Sequence, residues 1–156
     1  MSVTYYTATT IDGFIADPDD SLDWLLQFGD GSGDFYDRFL AGIGAIAMGS
    51  TTYRWIFEHE AGAWPYAIPA FVFTTRDLPV VEGGDIRFVR GSVAERFPDL
   101  GATAGDRNVW VVGGGDLAGQ FHDAGLLDEV ILAVVPVALG AGAPVFPRRV
   151  TEGLRL

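Results

Sequence analysis

An apolar run, Val109-Trp110-Val111-Val112, passes through Gly113-Gly114-Gly115 straight into Asp116-Leu117-Ala118-Gly119-Gln120-Phe121. Adjacent glycines let a ligand approach bare backbone, and free amides at the start of a following helix favour phosphate oxygens. The plainer reading of the stretch is a tight strand-to-helix turn with Asp116 as N-cap. A carboxylate beside a bound pyrophosphate would repel it, so the binding reading requires the Asp116 side chain to point away. Two weaker turns have a similar form. Met48-Gly49-Ser50-Thr51-Thr52-Tyr53 puts a glycine at a strand end before helix-starting hydroxyls, and Phe73-Thr74-Thr75-Arg76 puts hydroxyls and a guanidinium after a strand. Arginine grips phosphate through two parallel hydrogen bonds. Taken singly, the first of these is ordinary helix capping and the second is common turn composition.

Strands and helices in alternation must position such turns. Segments rich in β-branched and aromatic residues, Val3 to Thr9, Ala45 to Met48, Ala70 to Thr74, Ile86 to Val89, Val109 to Val112 and Glu129 to Val135, read as strands. Helices are expected at Asp34 to Ala41, Thr51 to Phe57, Ser92 to Phe97 and Asp116 to Ala124. Ser92 and Glu95 form a possible capping box, and that helix is expected to end before Pro98. The alternation predicts an α/β domain with a mostly parallel sheet, spanning residues 1–156 as one unit. All three turns then lie at the carboxyl ends of strands, the edge of an open α/β sheet where ligands bind. Two long loops, Ile11 to Gly33 and Glu58 to Pro69, are expected to be functional.

Composition narrows the chemistry. With 156 residues, 49% of them hydrophobic, the chain fills one core. A formal charge of −11 argues against nucleic acid as a partner. All 10 basic residues are arginine, which excludes a Walker A loop, a Schiff-base lysine and a lysine base. The absence of cysteine excludes disulfides, thiol nucleophiles and cysteine-ligated zinc. His59 and His122 are the only histidines, too few for a three-histidine metal site, so no metal is expected. The start of the chain lacks a signal-peptide pattern and the longest apolar run, Val130 to Leu139, is broken by Pro136; a soluble protein with no membrane partner is expected. What remains is chemistry by carboxylates, hydroxyls, backbone or a cofactor.

Gly113, Gly115 and Ala118 fit the dinucleotide fingerprint G-x-G-x-x-A, but a Rossmann domain puts that turn after its first strand. Too little chain follows Glu129 for the remaining units. The order of blocks points elsewhere. Thr10-Ile11-Asp12-Gly13-Phe14-Ile15-Ala16, Met48 to Tyr53, the glycine segment, Ala124-Gly125-Leu126-Leu127-Asp128-Glu129-Val130 and Pro136-Val137-Ala138-Leu139-Gly140-Ala141-Gly142-Ala143-Pro144-Val145-Phe146 span nearly the whole chain. Together they resemble the dihydrofolate reductase-like superfamily, in particular the branch similar to the C-terminal reductase domain of the bacterial riboflavin-biosynthesis deaminase-reductase.

That resemblance implies a dihydrofolate reductase-like mixed sheet, mostly parallel and flanked by helices, with NADPH across the strand ends. By position it places Gly113, Gly114 and Gly115 with Asp116 and Leu117 near the diphosphate. Gly49, Ser50, Thr51 and Thr52 fall on the adenosine side, and Thr75 and Arg76 at the 2′-phosphate. Ala8 and Thr9 fall beside the nicotinamide, and Asp12 to Ala16, with Gly13, match a mobile loop that closes over it. Ser50 stands where many relatives have arginine, which weakens the adenosine contact; Arg54 or Arg76 compensates. The implied activity is NADPH-dependent hydride transfer to a small heterocyclic or imine-type substrate. One alternative is dihydrofolate reduction, for which Asp34, then Asp37, is the nearest carboxylate; another is a non-catalytic nucleotide-binding or oligomeric protein. The resemblance further implies a cytoplasmic homodimer and, because relatives continue beyond Leu156 into a closing strand pair, a shortened sheet edge.

Overall fold

The computed structural model describes residues 1–154 and 156. In chain order the elements are β1 (Val3–Thr10), β2 (Phe14–Ala16), α1 (Asp23–Leu26), α2 (Asp34–Ala41), β3 (Ile43–Gly49), α3 (Ser50–His59), β4 (Ala70–Phe73), β5 (Ile86–Val89), α4 (Val93–Ala104), β6 (Asn108–Gly113), α5 (Gly115–Asp123), β7 (Glu129–Val135) and β8 (Ala143–Pro144). Six strands form one sheet in the order β5-β4-β3-β6-β1-β7, and every neighbouring pair in it is parallel. The antiparallel component is a separate ribbon of β2 and β8. The fold is therefore of the expected α/β class, with the six-stranded sheet wholly parallel.

A parallel sheet covered on both faces needs central strands that are apolar throughout. β3 satisfies this with Ile43, Ala45, Ile46, Ala47 and Met48, all at most 1% exposed. Its residues alternate between two cores. Ala45 and Ala47 join Val3, Tyr5, Val109 and Val111 beneath α4 and α5, whose Leu100, Ala104, Leu117 and Phe121 close that face. Ile46 and Met48 join Tyr53, Ile56, Val72 and Trp110 on the other face, with Phe39 of α2 packed against them. Trp110 centres an aromatic group there: its ring meets Phe39 and Tyr66 edge-on, and its indole N–H donates to the Tyr6 carbonyl at 3.0 Å.

Helix α4 corrects the expectation that it stops before Pro98, since it runs on to Ala104. Proline inside a helix costs about 3 kcal/mol through the lost donor and the ring clash. Here the second half of α4 buries Leu100 and Ala104 against the sheet, and Ala104 packs where Gly44 leaves no side chain in the way. That burial outweighs the local cost. The capping box forms as expected, with the Ser92 hydroxyl accepting from Glu95 N–H and the Glu95 carboxylate accepting from Ser92 N–H.

The long loop after β1 contains structure the sequence does not announce, namely β2 and α1. β2 is three residues long and pairs with β8, which lies far away in sequence. No period of alternation can show in so short a segment. At the other edge of the sheet β7 carries Leu132 and Val134 at 43% and 58% exposure.

Candidate functional site

Chain direction across the sheet creates the site. From β3 the chain moves outward through α3 to β4, and from β6 it moves through α5, past β1, to β7 on the opposite side. β3 and β6 are neighbours, so the helices leaving their carboxyl ends diverge there, at the point where open α/β sheets form a ligand crevice. Gly49 ends β3 and Gly113 ends β6, and a Cβ built on Gly49 would lie 3.9 Å from the Gly114 nitrogen. The two glycine turns thus abut.

Their helix starts are open. α3 has Gly49 as N-cap and α5 has Gly114, and among the described residues neither start receives a side-chain cap. α4, by contrast, closes its own first turn with the capping box. The first amides of an uncapped helix are unsatisfied donors with a partial positive charge. Two such starts on adjacent strands form a cradle for anionic groups.

The three glycines of the β6–α5 turn differ. A Cβ on Gly115 would run into the carbonyl oxygens of Pro144 and Val145, so that glycine serves packing. A Cβ on Gly113 would stand 3.1 Å from the Thr52 hydroxyl. On Gly114 the nearest heavy atom would be Ile15 Cδ1 at 3.8 Å, ordinary contact distance, which leaves its outer side open. The Gly113–Gly114 peptide is cis.

A hollow of about 340 Å³ lies at the ends of β4 and β5 and reaches Ser50, the first residue of α3. Ser50, Thr74, Thr75, Arg76, Arg90, Gly91 and Gln120 line it, together with Phe73 and Val89. Among the described residues no carboxylate lines this hollow itself, although Arg90 faces the exposed carboxylate of Asp77 at 3.7 Å. A smaller cleft of about 150 Å³ shares Thr74, Arg76 and Arg90. Arg54 lies outside both and faces Glu58 at 3.8 Å, leaving Arg76 as the arginine of that pair that reaches the hollow. Sequence reasoning missed Arg90 and Gln120. Arg90 follows an unremarkable strand and Gln120 sits in mid-helix; only the adjacency of β4, β5 and α5 gives either a place in the site.

Beside the cradle, the end of β1 and its turn are firmly tied. Ala8 is partly exposed, whereas Thr9 is buried and its hydroxyl donates to the Phe14 carbonyl at 3.1 Å. Asp12 accepts from the Thr10 hydroxyl at 2.6 Å and from the amides of Gly140 at 2.7 Å and Leu139 at 3.2 Å. These bonds, the Thr10 hydroxyl foremost, hold its carboxyl below the usual aspartate range. Gly13 turns with φ +85°, and its carbonyl accepts from Val145 N–H at 2.9 Å. The turn expected to be a mobile cover is thus anchored to the 137–145 segment in this structure. Thr51 is exposed and Thr52 half-buried on the first turn of α3. Asp116 and Leu117 occupy the first turn of α5, with Leu117 in the core. Asp34 is the first residue of α2, exposed and with no side-chain hydrogen bond among the described residues; Asp37 is exposed one turn on.

An open α/β sheet with two uncapped helix starts at its switch point defines a reductase-like fold. The chain belongs to the RibD C-terminal domain family, whose model matches residues 1–156. It is 30% identical over 148 residues to the uncharacterized protein YwjB of Bacillus subtilis (strain 168), covering 94% of this chain and 83% of that one. The structure of a "Putative riboflavin biosynthesis protein" from Shewanella sp. PV-4 superposes with TM-score 0.82 at 26% identity, over 97% of this chain and 86% of that one. Dihydrofolate reductase from Enterococcus faecalis, complexed with NADP(H) and RAB-propyl, shares the fold with TM-score 0.60 at 18% identity, over 94% of this chain and 77% of that one. A reductase-like fold is thus shared with a named reductase, in keeping with the resemblance in motif order. Among the described residues no helix is long and apolar enough to cross a membrane.

Proposed function

We propose that the chain is a cytoplasmic, NADPH-dependent reductase that delivers hydride to a small heterocyclic or imine-type substrate, in the manner of the riboflavin-pathway reductases. The observation that carries the reading is the pair of uncapped helix starts on neighbouring strands, one of which, at Ser50, borders a hollow that also holds Arg76 and Arg90. Such a site suits a ligand with a diphosphate at one point and a further phosphate at another. Gly114 and the first amides of α5 would hold the diphosphate. Ser50, Thr51 and Thr52 would meet the adenosine side, and Thr75, Arg76 and Arg90 the 2′-phosphate. The NADP(H) complex of the dihydrofolate reductase with this fold supports the choice of cofactor.

When bound, the nicotinamide supplies the hydride. The chain binds and orients it, and the anchored turn at Asp12 and Gly13 beside Ala8 and Thr9 keeps water from the ring. Titration with NADPH and NADH, followed by fluorescence or calorimetry, tests the reading. NADPH is expected to bind with a dissociation constant on the order of micromolar, and more tightly than NADH. Equal affinity would remove the role given to Arg76 and Arg90. No binding of either would favour the non-catalytic alternative.

Substrate class turns on Asp34. A pterin reductase needs a carboxylate to support protonation of the ring, so in dihydrofolate reduction Asp34→Asn would lower turnover by roughly 10²–10⁴-fold. The exposure of Asp34 and its lack of a side-chain hydrogen bond among the described residues favour instead a substrate that already carries its proton. Wild-type turnover of dihydrofolate is then expected to be negligible. Robust turnover that disappears in Asp34→Asn at saturating NADPH would reverse the assignment.

A further inference from the structure

Asp116 poses an electrostatic problem for the function proposed above. It places a carboxylate in the first turn of α5, beside the amides that would receive a diphosphate. The side chain does not cap the helix. Instead Oδ2 accepts from Gln120 Nε2 at 2.8 Å, and Oδ1 accepts from Arg148 Nη1 at 3.0 Å. Arg148 Nε donates to Asp123 Oδ2 at 2.7 Å, and Nη2 donates to the Asp116 carbonyl at 3.3 Å. Asp116 and Asp123 are separated by two helical turns and share a face. Between them lies Gly119, where a Cβ would stand 2.5 Å from Arg148 Cζ. The missing side chain lets the guanidinium lie flat along the helix.

The segment just before this arginine is itself held in place. Pro144 and Val145 cover Gly115, the Val145 carbonyl accepts from the Tyr5 hydroxyl at 2.9 Å, and Phe146 packs edge-on against His122. Arg148 is 21% exposed, whereas the two aspartates are 70% and 55% exposed. A residue needed only to tether the segment would have no reason to reach the helix start, since Asp123 alone provides an anchor. We propose that Arg148 is a positioning residue for the anionic cofactor: it neutralises Asp116, so that the start of α5 can accept a diphosphate. The inference rests on the NADPH reading given above. The hydrogen bonds from Gln120 and Arg148 also hold the Asp116 carboxyl below the usual aspartate range, so the charge that needs neutralising is present at neutral pH.

Asp123 supplies the control. It lies roughly 10 Å further along the helix axis, near its end, where removing its charge changes the field at the helix start far less. NADPH is titrated by fluorescence into wild type, Arg148→Met, Asp116→Asn, Arg148→Met/Asp116→Asn and Arg148→Met/Asp123→Asn, each with a thermal melt. Arg148→Met is expected to weaken binding about tenfold, more at low than at high salt. Adding Asp116→Asn restores most of the loss, and adding Asp123→Asn does not. Asp116→Asn alone, which keeps Arg148 on Asp123, changes binding less than the same substitution does in the Arg148→Met background. Wild-type affinity in Arg148→Met, or equal rescue or equal failure by the two asparagines, would overturn the proposal. If Arg148→Met does not fold, Arg148→Gln with and without Asp116→Asn is titrated instead, and wild-type affinity in Arg148→Gln, or no rescue by Asp116→Asn, overturns it. A wild type that takes no NADPH fails the functional reading itself, a different result from variants that behave like a binding wild type.

Discussion

Within the β6–α5 turn, neighbouring glycines have different reasons to be glycine, and substitution separates them. Gly114→Val places a branched side chain on the open side of the cradle, so NADPH binding is expected to be lost while the melting temperature stays near that of wild type. Gly115→Ala drives a methyl group into the Pro144 and Val145 carbonyls and is expected to destabilise the fold by about 1–3 kcal/mol, measured by denaturant unfolding. Asp12 makes a second, pH-dependent case. Its carboxyl is held low by the Thr10 hydroxyl and by the amides of Gly140 and Leu139, so the ionised form is the one the fold favours. A depressed folded-state pKa adds stability above the ordinary aspartate value, about 3.9, and that stability is lost as pH falls through the lower folded value. Asp12→Asn is therefore expected to melt below wild type at neutral pH, with the gap closing in acid. The glycine, hydroxyl and arginine turns were legible because each is a local pattern. Arg90, Gln120 and Arg148 were not, because each acts through a neighbour brought near only by the sheet and the returning chain.

Helix starts carry the functional contrast at the next scale. α4 satisfies its first amides with Ser92 and Glu95, whereas α3 and α5 leave theirs open where their strands adjoin. Ser92→Ala is expected to cost about 1 kcal/mol of stability by urea denaturation and to leave NADPH affinity unchanged, since that cap serves only the fold. Elements with a clear hydrophobic period were readable from sequence: α2 spans Asp34–Ala41 as expected, and the six sheet strands fall within a few residues of their expected positions. α4 misled because the rule about proline is local, while the burial of Leu100 and Ala104 that overrides it is tertiary. β2, α1 and β8 are too short to show a period and are set by their partners.

For the whole molecule, the expected partner is a second copy of the chain. Ile11, Phe28, Phe35, Leu132 and Val134 are each more than 40% exposed, apolar area that a partner copy would cover. Light scattering at low micromolar concentration is expected to give twice the mass of one chain. A monomer throughout that range would show that these side chains tolerate water. The parallel order of the sheet was readable from the alternation of strands and helices, but its strand order was not. Nothing local in β6 says that it inserts between β3 and β1, and that insertion brings the two glycine turns together.

The aromatic surroundings of Trp110 give the protein a built-in optical probe. Its indole is 5% exposed, held by the Tyr6 carbonyl and ringed by Phe39, Tyr36 and Tyr66, so its emission should sit toward the blue of the tryptophan range. The same strand ends three residues later at Gly113. A dihydronicotinamide absorbs where tryptophan emits, so one seated beside Ala8 and Thr9, on the strand next to that of Trp110, would draw off its excitation, and unlabelled protein would report its own occupancy as quenching.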